Sequence, residues 1–271
     1  MEHFIGFVGG GQMAEALIRG IIASGLYRSE DILVAEPNDY RRELLEKTYG
    51  LQSYPDNRLL FAKCRIIILA VKPQTMKSLL EECRGRITSD HILISVAAGL
   101  PISFYTKTIG QKNLKIIRAM PNTPALVLEG ASALSKNGNV SDQELQEAEA
   151  IFLAVGEVVL LDEVHLDAVT GLSGSGPAYV FSFVEALIDA GVKNGLTRAV
   201  SEKLALQTVS GSVKLLKESG EHPAALRGKV TSPGGTAITA LHVLEKVGFH
   251  GIIMDIVESA VIRSRQLGQI E

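Results

Sequence analysis

Phe4-Ile5-Gly6-Phe7-Val8-Gly9-Gly10-Gly11-Gln12-Met13-Ala14 decides how the first half of this chain folds. A short apolar, strand-like run enters three glycines, and the residues after them carry helical periodicity to about Ala23. Gly9, Gly11 and Ala14 fit the pattern G-x-G-x-x-A in the strand–turn–helix setting that it requires. Gly9 permits the tight turn, Gly11 lets a pyrophosphate reach the backbone, and the small Ala14 lets helix and strand pack closely. Glu36 follows Ala14 by 22 residues, at the end of the next strand-like run, where a carboxylate meets the adenosine ribose of a dinucleotide. That carboxylate accepts from a ribose 2′-hydroxyl and repels a 2′-phosphate, which favours NADH. Asn38, Arg41 and Arg42 follow at once and offer a phosphate host instead, so the residues leave NADPH against NADH open.

Working outward, β-rich runs at 4–8, 32–35, 65–70, 92–95, 114–118 and 158–161 alternate with helical patterns. Continuous apolar strands separated by helices indicate a parallel sheet covered on both faces, and with the glycine turn they specify a Rossmann domain. After Asp162 the texture changes. From 166 to 269 there is helical periodicity only, broken at 171–177, 195–197, 220–223 and 232–235. The chain therefore reads as α/β over residues 1–162 and all-helical over 163–271, with no flexible linker. Within 178–192, Tyr179, Val180, Phe181, Phe183, Val184, Leu187 and Ile188 make a helix apolar nearly all round. Such a helix must be buried, and a small helical domain has few ways to do so alone, so a dimer is expected.

Ligands gather at strand C-termini in sheets of this kind. Ala70-Val71-Lys72-Pro73 and Val96-Ala97-Ala98-Gly99 leave two strands there, and their small residues let a nicotinamide or ribose lie against backbone. Met120-Pro121-Asn122-Thr123-Pro124-Ala125 is too proline-rich for a helix and too apolar for an idle loop, so it reads as a rigid cleft wall.

The helical half holds a second anion motif, Val230-Thr231-Ser232-Pro233-Gly234-Gly235-Thr236. Ser232 and Pro233 read as N-cap and first residue of a helix running to about Val247. Two glycines then follow in its first turn, at about 1 kcal/mol each against alanine. Unpaired N–H groups and the positive end of the dipole suit an anion, and absent side chains at Gly234 and Gly235 let it approach. Hydroxyls of Thr231, Ser232 and Thr236 favour a small carboxylate or phosphate. The competing reading is a tight interhelical turn.

Composition narrows the function classes. The 271 residues are 46% hydrophobic and 21% charged, as in ordinary soluble proteins. With 27 basic against 30 acidic residues there is no polycation for nucleic acid, and no apolar run is long enough for a membrane span. The Met1-Glu2-His3 start leaves no room for a signal peptide, and Cys64 and Cys83 form no metal spacing. A cytoplasmic, disulfide-free and metal-free protein is expected. His3, His91, His165, His222, His242 and His250 are scattered and read as filler.

Together these pieces resemble pyrroline-5-carboxylate reductase. The most specific parts are Ala70 to Pro73, Met120 to Ala125, Leu172-Ser173-Gly174-Ser175-Gly176-Pro177-Ala178-Tyr179, and Val230 to Gly235 followed by Ala240-Leu241. The resemblance runs to Arg263-Ser264-Arg265, essentially the whole chain. It implies a Rossmann domain with a C-terminal helical domain that dimerises by interleaving, and dimers that often assemble into decamers of five dimers. It implies reduction of the cyclic imine 1-pyrroline-5-carboxylate to L-proline by NADPH or NADH. It places Val8, Gly9, Gly10, Gly11, Gln12 and Met13 on the pyrophosphate, Glu36 on the adenosine ribose and Asn57 on the adenine side. Ala70, Val71, Lys72, Val96 and Ala97 flank the nicotinamide half, with Asn122 also at the cofactor. Ser232, Gly234, Gly235 and Thr236 hold the substrate carboxylate. Many members have a threonine directly after the position of Thr236, reaching the imine nitrogen; this chain has Ala237, so either Thr236 or a water takes that contact, or none is needed.

Two other functions fit parts of the pattern. A β-hydroxyacid dehydrogenase wants a buried lysine in the second domain, and Lys193, Lys203 and Lys214 stand beside no glycine-rich motif. A non-catalytic dinucleotide sensor has only Ala237 in its favour. Lys72, the one tempting acid, reads better as a phosphate contact or as the cap of a strand end.

Overall fold

The computed structural model describes residues 4–268, so His3 and the chain end beyond Gly268 lie outside the described residues. β1 (Phe4–Val8) is buried over nearly its whole length and pairs in parallel with β2 (Ile32–Ala35) and β4 (Cys64–Leu69). β3 (Gln52–Tyr54) extends the sheet beyond β2, and β5 (Ile92–Ser95) and β6 (Lys115–Met120) extend it beyond β4. β7 (Gly130–Lys136) joins β6 antiparallel, and β8 (Gly156–Leu160) joins β7 in parallel, giving the order 3-2-1-4-5-6-7-8. The first six follow the doubly wound dinucleotide-binding order.

The side-chain period of a strand divides the core between the two faces. Ile5, Phe7, Ile66 and Ile68 pack with Leu17, Ile18 and Ile21 of α1 (Gln12–Ala23) and with Ile151 and Phe152 of α6 (Asp142–Leu153). Val8, Ile67 and Leu69 pack on the other face with α3 (Arg58–Lys63), α4 (Pro73–Cys83) and α5 (Ile102–Ile109). Each such side chain contributes about 1.5–3 kcal/mol when fully buried. α2 (Asp39–Tyr49) starts at Asn38, whose Oδ1 accepts from Arg41 N, and ends at Gly50 in the left-handed conformation.

The helical half comprises α7 (Leu166–Val169), α8 (Gly176–Lys193), α9 (Arg198–Ser219), α10 (Pro223–Lys229), α11 (Thr236–Lys246) and α12 (Phe249–Gly268). Residues 170–174 form a π-helical turn, so the glycine-rich break expected there is a widening of the helix just ahead of α8. α8 and α9 form a hairpin in which a Cβ on Gly191 would stand 2.5 Å from Ser201 Oγ, which is why a glycine lies there. By compactness the chain divides after Ser175. Gly176–Glu258 form one unit, and Ser259 to Gly268 belong with the first. Among the described residues no single helix is long and apolar enough to cross a membrane.

Candidate dinucleotide and anion sites

Three strand ends are stitched together under the glycine turn. Gly9 N donates to Ala35 O (2.8 Å), Ala70 N to Val8 O (2.8 Å) and Val96 N to Leu69 O (3.2 Å). Gly9 has φ +96°, and a Cβ there would lie 2.8 Å from Ala70 O, so both conformation and space demand glycine. Gly11 differs. Its backbone is ordinary and a Cβ would meet nothing within 4 Å, so the space over the start of α1 is open. No side chain caps α1, and its first ladder bond is Glu15 N to Gly11 O, leaving earlier N–H groups facing that space. Uncapped N–H groups over open space are the arrangement that suits an anion.

A cavity of about 480 Å³ adjoins it. Of the residues expected at the cofactor, Val8, Gly9, Gly11, Glu36, Asn57, Ala70, Val71 and Lys72 line it. Gly10 lies against Glu36 and Leu45, while Gln12 and Met13 open α1. Asn57 stands at the N-terminus of α3 without making a capping hydrogen bond through its side chain. Pro55, Asp56, Thr75 and Ser78 also line the cavity and were not expected. The signal for Pro55 and Asp56 was their place just after β3, which the sequence reading missed. Asp56 accepts from Arg58 Nε (3.0 Å), Nη2 (2.6 Å) and backbone N (2.9 Å), and these bonds hold its pKa at about 2.

Glu36 is fixed at both oxygens: Gly10 N donates to Oε2 (2.8 Å) and Asn38 N to Oε1 (3.0 Å). The neighbouring arginines are turned to structural work. Arg41 donates to Gly10 O (2.5 Å) and Gly11 O (3.3 Å) and pairs with Glu15, and Arg42 donates to Glu36 O (2.8 Å) and Pro37 O (3.1 Å) and pairs with Asp39.

Val96 and Ala97 follow β5 as expected. Ala97 N donates to Ser95 Oγ (3.2 Å), which in turn shares a 2.5 Å hydrogen bond with Tyr105 OH. Burial pushes that phenol up to about 12. Asn122 has both ends of its amide engaged: Nδ2 donates to Ser173 O (3.0 Å) and Oδ1 accepts from Ala131 N (2.8 Å). In the same region a Cβ on Gly174 would fall 2.4 Å from Met120 Cε. The proline-rich wall and the glycine-serine motif are thus one packed structure. His91 is a satisfied core histidine, with Nδ1 accepting from Thr88 N (2.9 Å) and Nε2 bonded to Phe61 O (3.0 Å). Among the described residues no cluster of histidine, cysteine or acid suits a metal ion.

The second motif is corrected in detail. The helix does not open at Ser232 and Pro233: Gly235 is its N-cap, Thr236 its first residue and Lys246 its last. Gly235 N donates to Ser232 O (3.1 Å) across Pro233 and Gly234, and Gly234 has φ +66°. Proline second and a positive-φ glycine third is what a type II turn requires. The first ladder bond is Thr239 N to Gly235 O (3.4 Å), so the N–H groups of Thr236, Ala237 and Ile238 lie outside the ladder. A Cβ on Gly235 would stand 2.2 Å from Ser232 Oγ, so the two expected carboxylate contacts are immediate neighbours. Thr231 Oγ1 donates to Arg227 O (2.6 Å) and is held away from this role.

Comparison with known proteins agrees with both halves. Residues 163–267 match the family model described as pyrroline-5-carboxylate reductase dimerisation, and residues 4–99 match NADP oxidoreductase coenzyme F420-dependent. Pyrroline-5-carboxylate reductase of Synechocystis is 47% identical, the alignment covering 99% of this chain and 100% of that one. The Arabidopsis thaliana protein of the same name is 40% identical over 98% and 95% of the two chains. The crystal structure of Plasmodium falciparum pyrroline carboxylate reductase with NADP bound superposes with a TM-score of 0.90 at 36% identity, covering 99% of both chains. By fold, by motif and by sequence along its full length, this chain belongs to the pyrroline-5-carboxylate reductase family.

Proposed function

We propose that this protein reduces 1-pyrroline-5-carboxylate to L-proline with NADPH or NADH, the last step of proline biosynthesis. The observation that carries the reading is 47% identity to a reductase of that name along the full length of both chains. The dinucleotide fits the first unit: Gly11 leaves open space over a helix start, and Val8, Gly9, Ala35, Ala70 and Val71 line the cavity beside it. Residues 8–13 hold the pyrophosphate, Glu36 the adenosine ribose and Asn57 the adenine side. Ala70, Val71, Lys72, Val96 and Ala97 flank the nicotinamide half, and Asn122 fixes the wall beside it. When bound, the reduced nicotinamide supplies a hydride equivalent.

What the protein adds is position. A protonated imine accepts hydride without a strong base. Ser232 Oγ and the N–H groups at the start of α11 bind the substrate carboxylate, with Gly234 and Gly235 shaping the turn. Thr236 is the hydroxyl of this loop assigned to the imine nitrogen, in place of the threonine replaced by Ala237.

The family's dimerisation domain makes the protein a homodimer; closure of five dimers into a decamer is a further proposal that rests on the resemblance. A cytoplasmic location belongs to the same proposal. Cys64 and Cys83 are free and buried, and burial raises their thiols to about 12 and about 11, as suits a chain that needs no disulfide. The test is nicotinamide absorbance with purified protein and pyrroline-5-carboxylate. Substrate-dependent oxidation is expected, and no turnover with either cofactor in folded protein would refute the reading.

A further inference from the structure

We infer that this enzyme selects NADH over NADPH, and that Glu36 is the residue that selects. The inference rests on the dinucleotide site proposed above and concerns the part of it that meets the adenosine ribose. Recognising a 2′-phosphate takes free cationic donors and a movable or absent carboxylate, whereas recognising a ribose diol takes a fixed acceptor. The structure supplies the second arrangement.

Glu36 is pinned. One carboxylate oxygen holds Gly10 N–H in the glycine turn, and the other holds Asn38 N–H at the start of α2. Swinging the side chain aside would strip both N–H groups of their acceptor. Each oxygen keeps a second lone pair, so the group still accepts from two hydroxyls.

The arginines that look in sequence like a phosphate host are not available. Arg41 bonds two carbonyls of the glycine turn and the carboxylate of Glu15, which Tyr49 OH also holds. Arg42 bonds the carbonyls of Glu36 and Pro37 and pairs with Asp39. Their side chains are only 21% and 18% exposed. Turning either toward a phosphate would dismantle the turn that carries Glu36.

The rest of the cavity points the same way. Its ionisable lining is Glu36, Asp56, Glu82 and Lys72, three acids to one base. Arg58, next to it, is engaged by Asp56. A phosphate monoester brings about 1.5–2 negative charges at neutral pH. It would meet a pinned carboxylate there with no unengaged arginine to offset it.

The experiment is equilibrium binding without substrate, following nicotinamide fluorescence in titrations of the full-length enzyme with NADH and NADPH. Wild-type protein is expected to bind NADH roughly tenfold or more tightly than NADPH, as like charges in close contact demand. Glu36→Ser should bring the two constants to near parity by tightening NADPH, and Glu36→Gln, which keeps the shape, should move the ratio the same way. Equal or tighter NADPH binding by wild type overturns the inference whatever the variants do. So does a ratio unchanged in both variants when their melting shows them folded. Because no substrate is present, the outcome separates from the functional reading: NADH preference without turnover leaves this inference standing and removes that one.

Discussion

Gly234 and Gly235 are adjacent glycines kept for opposite reasons. Gly234 has the positive φ that an L-residue resists, yet a side chain there would point into open space. Gly235 has an ordinary backbone, but a side chain would strike Ser232 Oγ. The two substitutions should therefore separate stability from binding. Gly234→Ala should lower stability by about 1–2 kcal/mol through left-handed strain and leave the substrate KM nearly unchanged. Gly235→Val should displace the Ser232 hydroxyl; a hydrogen bond to a charged group contributes about 1.5–3 kcal/mol, so KM should rise roughly tenfold or more with a small change in melting temperature. Near-normal KM in a stable Gly235→Val protein would remove the carboxylate from this loop. Thr236→Ala should lower kcat with little change in KM, as expected when a contact is made mainly in the transition state; an unchanged kcat would leave the imine nitrogen to water. The sequence made the loop's two glycines and its hydroxyls legible but misplaced its helix start. Proline after serine has the same spelling in a capped helix and in a type II turn, and only the φ of Gly234 separates them.

At the level of elements, the strands legible in the sequence with no end error at all, 4–8, 32–35 and 92–95, are almost entirely buried apolar runs, while β8 was legible to within two residues although its side chains are largely exposed. Sequence reading missed β3, three residues of largely polar character, and β7, whose Gly-Ala-Ser-Ala-Leu-Ser-Lys has no β-branched residue. Nothing local makes β7 a strand. Its pairing with β6 on one side and β8 on the other does, which is tertiary context overriding propensity. β6 also carries Arg118, 4% exposed, whose guanidinium pairs with Glu163 (3.4 Å) and Asp167 (3.6 Å). Glu163 further accepts from Ile102 N (2.6 Å), and Asp167 from Ser264 Oγ of α12 (2.7 Å). Arg118→Leu would leave two carboxylates facing each other without their cation. Breaking a buried pair costs about 3–5 kcal/mol, and because these acids are 33% and 25% exposed the loss should fall at or below the lower end. Urea unfolding measures it, and a change under about 0.5 kcal/mol would show that the network carries no stability.

For the whole molecule, composition revealed two textures, and the structure shows what the second one lacks. No residue of α8 is buried within the protomer, and Phe181 and Met254 are 66% and 71% exposed. A soluble monomer does not keep such side chains in water, so the helical unit requires a second copy. Light scattering should give twice the 29.1 kDa chain mass or a multiple of it, and a stable monomer in dilute buffer would contradict this. What composition could not reveal is the return of the chain. Helical periodicity is the same at both ends of α12, but only its last part belongs with the sheet, through Ser264 and through Gly268, where a Cβ would stand 2.3 Å from Gly99 O. Gly176–Glu258 is therefore an insertion held at both ends rather than a terminal appendage. A protease that nicks the exposed turn at Gly220 would release nothing. Each fragment would remain seated on the sheet by its own contacts, and the cut would show on a denaturing gel long before it showed in the mass of the native particle.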